Sequence, residues 1–189
     1  MEPNDFKTKN TSVKFFSGYM LIAVFAVSAA VFLNQLIDML EIKSLSQAYG
    51  EVEKRQFSRN LWELVTFSGF LVPLIEELVF RQFLYKRLRK IKGALFAAIA
   101  SAALFGLYHM NLVQFIYAFF MGLFICLVYE CYDGFVSGLF FHVCANLFVI
   151  AAFFLPAYIH MQIKLISCIF GGIVTVIITV HLLRRKNKA

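Results

Sequence analysis

Apolar residues gather in six stretches separated by shorter polar breaks: about 15–37, 61–84, 94–111, 113–131, 135–155 and 159–183. Each is close to the about 20 apolar residues that a helix needs to cross the hydrocarbon of a bilayer. The pattern predicts an all-α fold, a polytopic transmembrane bundle of about six spans, forming a single membrane domain over residues 1–189. The polar stretch from Asp38 to Asn60 is the only connection long enough to carry structure of its own. The second stretch runs on from Trp62 to Arg89, with Pro73 as its one potential kink. Its end, Phe83 to Lys92, is basic, with Leu84, Leu88 and Ile91 at helical spacing, and is expected to tip into the headgroup layer. Gly93 marks its stop. The first apolar run continues past Ala30 to Ile37, which predicts an uncleaved span rather than a signal peptide.

Composition supports this reading. Hydrophobic residues make up 61% of the chain, charged residues 15%, and Phe alone occurs 23 times. Soluble domains carry about 45–50% apolar and about 25% charged residues, so the excess apolar surface is assigned to lipid. The net charge of +7 would suit nucleic acid, but its placement argues for lipid headgroups instead. Lys7, Lys9 and Lys14, the cluster Arg81, Lys86, Arg87, Arg89, Lys90 and Lys92, and the tail Arg184, Arg185, Lys186 and Lys188 fall on one side of the predicted spans. Only Lys43, Lys54, Arg55, Arg59 and Lys164 fall on the other. The asymmetry places both termini in the cytoplasm of a multi-pass protein of the cell membrane, expected to be a bacterial plasma membrane. Cys126, Cys131, Cys144 and Cys168 form no CxxC pair and read as small buried hydrophobes.

A charge at mid-bilayer costs about 2.5–3.5 kcal/mol on insertion scales, so Glu76 and Glu77 in the second span call for an explanation. Glu77 and Arg81 are i and i+4, the favoured order for an ion pair. Glu76 projects about 100° away and has no such partner. Glu77 is therefore expected to be structural and Glu76 free for general-base work. His109 closes the third span, and His142 and Asn146 share one face of the fifth. His160 and His181 read as interfacial, and Glu130 and Asp133 as solvated turn residues. Gly134 and Gly138 suit close helix packing.

A carboxylate and an imidazole can hold and deprotonate a water, while a second imidazole and a carboxamide can stabilise an oxyanion. Ser101 and Ser137 lack the setting of a serine nucleophile. No HExxH motif is present and Asn is a poor zinc ligand, but zinc on Glu76, His109 and His142 stays open. Depth poses a difficulty. At about 1.5 Å per residue, His109 lies about 22 Å along its span and His142 only about 10 Å along its own. Bringing them together requires tilt, an unwound end near Asn111 or shifted boundaries.

Glu76-Glu77-Leu78-Val79-Phe80-Arg81 matches EExxxR, Phe105 to His109 matches FxxxH, and His142 to Asn146 matches HxxxN. In order and spacing these resemble the family of CAAX proteases and bacteriocin-processing or self-immunity proteins, in its bacterial branch. The resemblance covers about 61–155, the expected catalytic core. It implies an intramembrane endopeptidase in which Glu76 and His109 activate water, His142 and Asn146 stabilise the oxyanion, and Glu77 and Arg81 support them. Metallo and glutamate mechanisms are both compatible with it, and the implied partner is a peptide or membrane-protein substrate. Gln82 departs from the small residue that often follows the motif Arg. The competing readings are a non-proteolytic immunity or binding protein of the same fold and a proton or ion relay.

Overall fold

In lipid a backbone must satisfy its own polar groups, and an apolar segment does so as a helix. The computed structural model follows that rule. It describes the backbone of residues 3–132, 134–155 and 157–187, and the side chains of 16–132, 134–155 and 164–187. The side chains of Lys7, Lys9, Lys14, Asp133, His160 and Lys188 lie outside the described residues. Seven helices and no strand occur among the described residues. They are α1 (Pro3–Met39), α2 (Gln47–Phe57), α3 (61–92), α4 (Ala94–Tyr108), α5 (Leu112–Cys131), α6 (Phe135–Phe153) and α7 (Ala157–Lys186).

Four helical segments are long and apolar enough to cross a membrane: Phe16–Met39, Leu112–Cys131, Phe135–Phe153 and Lys164–Lys186. The other two expected spans form a hairpin of a different kind. Helix α3 alternates between α-helical segments and two π-helical ones, Leu64–Leu71 and Leu78–Tyr85. Its basic end does not stand away from the bundle, because Leu84 and Leu88 pack against α4 and α5. Gly93, at φ 83°, makes the turn that a side chain would strain. Helix α4 then stops at Tyr108 after 15 residues.

Helix α1 is the central post. Ile22, Phe25, Ala26, Ala29, Ala30 and Leu33 are buried in the main core with Ile125, Phe141 and Ile178. Its small residues let α7 approach closely, as membrane helices do where packing replaces a hydrophobic drive. Gly171 of α7 sits against the Ser28 carbonyl, and the Thr175 hydroxyl donates to the Ser28 hydroxyl at 3.2 Å.

Polar ties hold the two ends. At one end Asp38 pairs with Lys43 at 3.3 Å and with Lys164 of α7. Beside it lies α2, capped by Ser46, with no buried residue of its own. Phe57 at its end stacks on Phe153 of α6, centroids 3.7 Å apart. At the other end Glu130 corrects its expected role as a solvated turn residue. Its side chain is only 7% exposed, and its carboxylate joins three helices. It accepts from the Tyr85 hydroxyl at 2.9 Å, and pairs with Arg89 Nε at 2.6 Å and Lys186 Nζ at 3.3 Å. Tyr85 and Arg89 reach it because α3 continues beyond the apolar stretch and packs against α5. Glu130→Ala is expected to cost about 1–3 kcal/mol, the scale of leaving buried polar partners unsatisfied. Thermal unfolding in detergent should show a lower midpoint for this variant.

Candidate active site

Helix α3 inverts the pattern of a soluble amphipathic helix. Ile75, Leu78 and Val79 are exposed at the bundle surface, while Glu76, Glu77 and Arg81 are buried. With lipid outside, the polar face belongs inside. The local backbone matters too. In the first π-helical segment the Val72 N–H donates to the Phe67 carbonyl, five residues back. The next donor in that register would be Pro73, which has no N–H. The Ser68 carbonyl is thereby left for another partner, and Asn146 Nδ2 of α6 donates to it at 2.9 Å. At the neighbouring Gly69 an added Cβ would lie 2.7 Å from Leu147 of α6. The absence of a side chain there lets α6 come close enough for Asn146 to reach.

Glu77 is the hub of the buried network. Its Oε1 accepts from Arg81 Nη1 at 2.9 Å and from His142 Nδ1 at 2.8 Å. Arg81 Nη2 also donates to the Gly122 carbonyl of α5 at 3.3 Å, and its guanidinium lies 4.6 Å from the centroid of the Phe105 ring. The pairing of Glu77 with Arg81 thus takes the expected i, i+4 form. Glu76 is buried as well but faces both imidazoles. Its Oε2 is 3.6 Å from His142 Nε2, and its Oε1 is 4.0 Å from His109 Nε2.

Each imidazole is held by its other nitrogen. His109 Nδ1 lies 2.9 Å from the Phe105 carbonyl, one turn earlier. A carbonyl only accepts, so His109 carries a proton on Nδ1. His142 Nδ1 likewise donates to the Glu77 carboxylate. A neutral His109 therefore keeps its lone pair on Nε2, and the Nε2 atoms of both rings face Glu76. The Phe105 ring stands edge-on to both imidazoles, with centroids 5.1 and 5.7 Å away.

The expected mismatch in depth is resolved by the hairpin. Gly93 lies 17 residues after Glu76 and 16 before His109 in the chain. Two arms of about 25 Å, at 1.5 Å per residue, bring His109 back level with Glu76. There α4 ends, Met110 turns with φ 57°, and Asn111 starts α5 by accepting from the Gln114 N–H at 2.9 Å. The fold-back of His109 onto Phe105 brings its ring down towards His142.

Glu76, His109, His142 and Asn146 line one cavity of about 580 Å³. It is bounded by α1, α3, α4, α5 and α6, and α2 lies at its polar end. Several contributors have no motif in the sequence: the Gly122 and Ser68 carbonyls, and α2. Only Pro73 signalled one of them, through the carbonyl that it frees. The donor types of Glu76, His109 and His142 suit zinc, and anchored Nδ1 atoms are typical of metal-binding imidazoles. As placed, no three His, Cys, Asp or Glu among the described residues form a group able to hold an ion.

The network makes a stability prediction. Arg81→Met leaves Glu77 buried without its cation and is expected to cost about 3–5 kcal/mol. Adding Glu77→Gln removes the uncompensated charge and should recover part of that loss. Thermal unfolding of the single and double variants in detergent measures both effects.

Residues 58–148 match the family described as type II CAAX prenyl endopeptidase Rce1-like. No curated protein and no solved structure matches the chain. The matched stretch contains Glu76, Glu77, Arg81, His109, His142 and Asn146. Through that stretch this multi-pass, all-α chain is similar to the CAAX prenyl endopeptidase family of membrane peptidases.

Proposed function

We propose that the cavity is the active site of an intramembrane endopeptidase that hydrolyses a peptide bond of a membrane-associated peptide or protein. One observation carries the reading: the two Glu76 oxygens face the free Nε2 atoms of His109 and His142 across 4.0 and 3.6 Å. These gaps exceed a direct hydrogen bond and suit a bridging water. Glu76 accepts a proton from that water, with His109 Nε2 orienting it as a second acceptor. The resulting hydroxide attacks the carbonyl carbon of the scissile bond. His142 donates to the oxyanion from Nε2 when doubly protonated, a charge that Glu77 balances at its Nδ1. Asn146 uses one N–H to hold Ser68, and its second is available to the same oxyanion. Collapse returns the proton from Glu76 to the leaving nitrogen as the C–N bond breaks. Glu77 and Arg81 touch no reacting atom in this scheme; they position His142.

Leader peptides, peptide signals and membrane-proximal segments of proteins are the substrates that such a site would take. Glu76→Ala and His109→Ala are each expected to lower processing by about 10²–10⁴, the range for loss of a general base. Both should remain inserted and abundant. Comparing peptides released by wild-type and Glu76→Ala cells by mass spectrometry checks this and identifies the substrate. Unchanged release in the Glu76→Ala cells would sink the catalytic assignment. Biological function retained in Ala variants of Glu76, His109, His142 and Asn146 alike would favour an immunity or binding protein.

The water mechanism also predicts that purified activity survives strong chelation. Activity lost to a chelator and restored by zinc would instead make Glu76, His109 and His142 metal ligands.

A further inference from the structure

The hydrolytic residues line one part of the cavity, and the polar helix α2 closes another. Two cations there have no counterpart. Arg55, near the end of α2, and Arg59, just before α3, both line the cavity and make no ion pair among the described residues. The other charged side chains that line this end are engaged. Lys43 pairs with Asp38 at 3.3 Å, and Glu53 accepts from the Tyr49 hydroxyl at 3.1 Å. Apart from Glu76, Glu53 is the one carboxylate among the described lining residues. The mouth of a cavity that ends on Glu76 thus presents two uncommitted guanidiniums.

We propose that Arg55 and Arg59 form a recognition subsite for an acidic side chain of the bound peptide, at a set distance from the cleaved bond. The inference rests on reading the cavity as a peptide channel. Guanidinium is suited to this task, since its planar donors match a carboxylate in a bidentate pair. The chain itself supplies the distance. Fifteen residues of α3 separate Leu61, beside Arg59, from Glu76, which at about 1.5 Å per residue is roughly 20 Å. An extended peptide covers about 3.3 Å per residue, so the acidic residue lies about five to seven positions from the scissile bond. Lipid phosphate at the membrane surface could also meet these arginines, but it would impose no such register.

The test separates recognition from chemistry by measuring capture on the Glu76→Ala protein. It is placed in phosphatidylcholine nanodiscs, which carry no net anionic lipid. The probe is a peptide that wild-type cells release and Glu76→Ala cells do not. If no such peptide is found, the probe is a pool of N-acylated random dodecapeptides. Each is made as a set in which a single Asp is moved along an otherwise uncharged polar segment. The expected result is a roughly fivefold preference for one window of Asp positions, the scale of one or two exposed charge pairs. The preference should weaken as salt rises. Arg55→Gln combined with Arg59→Gln should flatten the position profile. Lys54→Gln, exposed on the same helix and outside the cavity lining, should retain it.

A flat profile in the parent protein, or an unaltered profile in the double variant, overturns the proposal. So does an arginine effect that appears only when phosphatidylglycerol is added, because that assigns the pair to lipid. An Arg-dependent window with no hydrolysis by wild type would retire the peptidase reading while leaving the subsite in place.

Discussion

A carboxylate enclosed by apolar helices is stable only if its charge is answered from several directions at once. Glu77 meets that condition through Arg81 on its own helix and His142 on α6, with Arg81 also bonded to the Gly122 carbonyl of α5. Loss of one partner in such a network costs more than an ordinary hydrogen bond, because the desolvated charge remains. The network therefore fixes where α3, α5 and α6 meet. His142 gains both a position and a proton assignment from it. Its free Nε2 is then directed at Glu76, so the geometry of the candidate site follows from the residue beside it that takes no part in the proposed chemistry.

Successive side chains on a helix diverge by about 100°, so the adjacent carboxylates meet His142 at different nitrogens, Glu77 at Nδ1 and Glu76 near Nε2. Glu77 is turned into the helix packing and is committed there. Glu76 is turned to the cavity and is answered only by imidazoles at more than hydrogen-bonding distance. The adjacent pair thereby produces one carboxylate committed to helix packing and one that faces the cavity. The π-helical segments on both sides of the pair belong to the same arrangement, since such irregularities are frequent at functional sites.

Local chemistry was legible in the sequence where it depends on one helix. The i, i+4 spacing of Glu77 and Arg81 anticipates their bond, and the polar residues of three spans pointed to a common site. Contacts between helices were less legible. Glu130 looked like a turn residue because nothing in its neighbourhood shows that Tyr85, Arg89 and Lys186 converge on it. The depth conflict between His109 and His142 arose from treating 94–111 as an independent crossing. It is the returning arm of a hairpin, and Gly93 sets its depth by counting from Glu76. The count was available in the chain, but its meaning depended on α3 continuing as one rod to Lys92.

Pro73 shows how a local defect can serve a tertiary contact. Its missing N–H frees the Ser68 carbonyl within a helix surrounded by apolar groups, where an unpaired carbonyl is costly. Asn146 answers it and is thereby held at the cavity, and Gly69 supplies the clearance that the approach needs. In the proposed reaction the carboxamide therefore has two linked tasks. One N–H secures α6 against α3, and that attachment fixes where the other can point. An Asn is suited to this position because it has two donors on one nitrogen. A residue with a single donor could hold the helices together or meet an oxyanion, but could not do both.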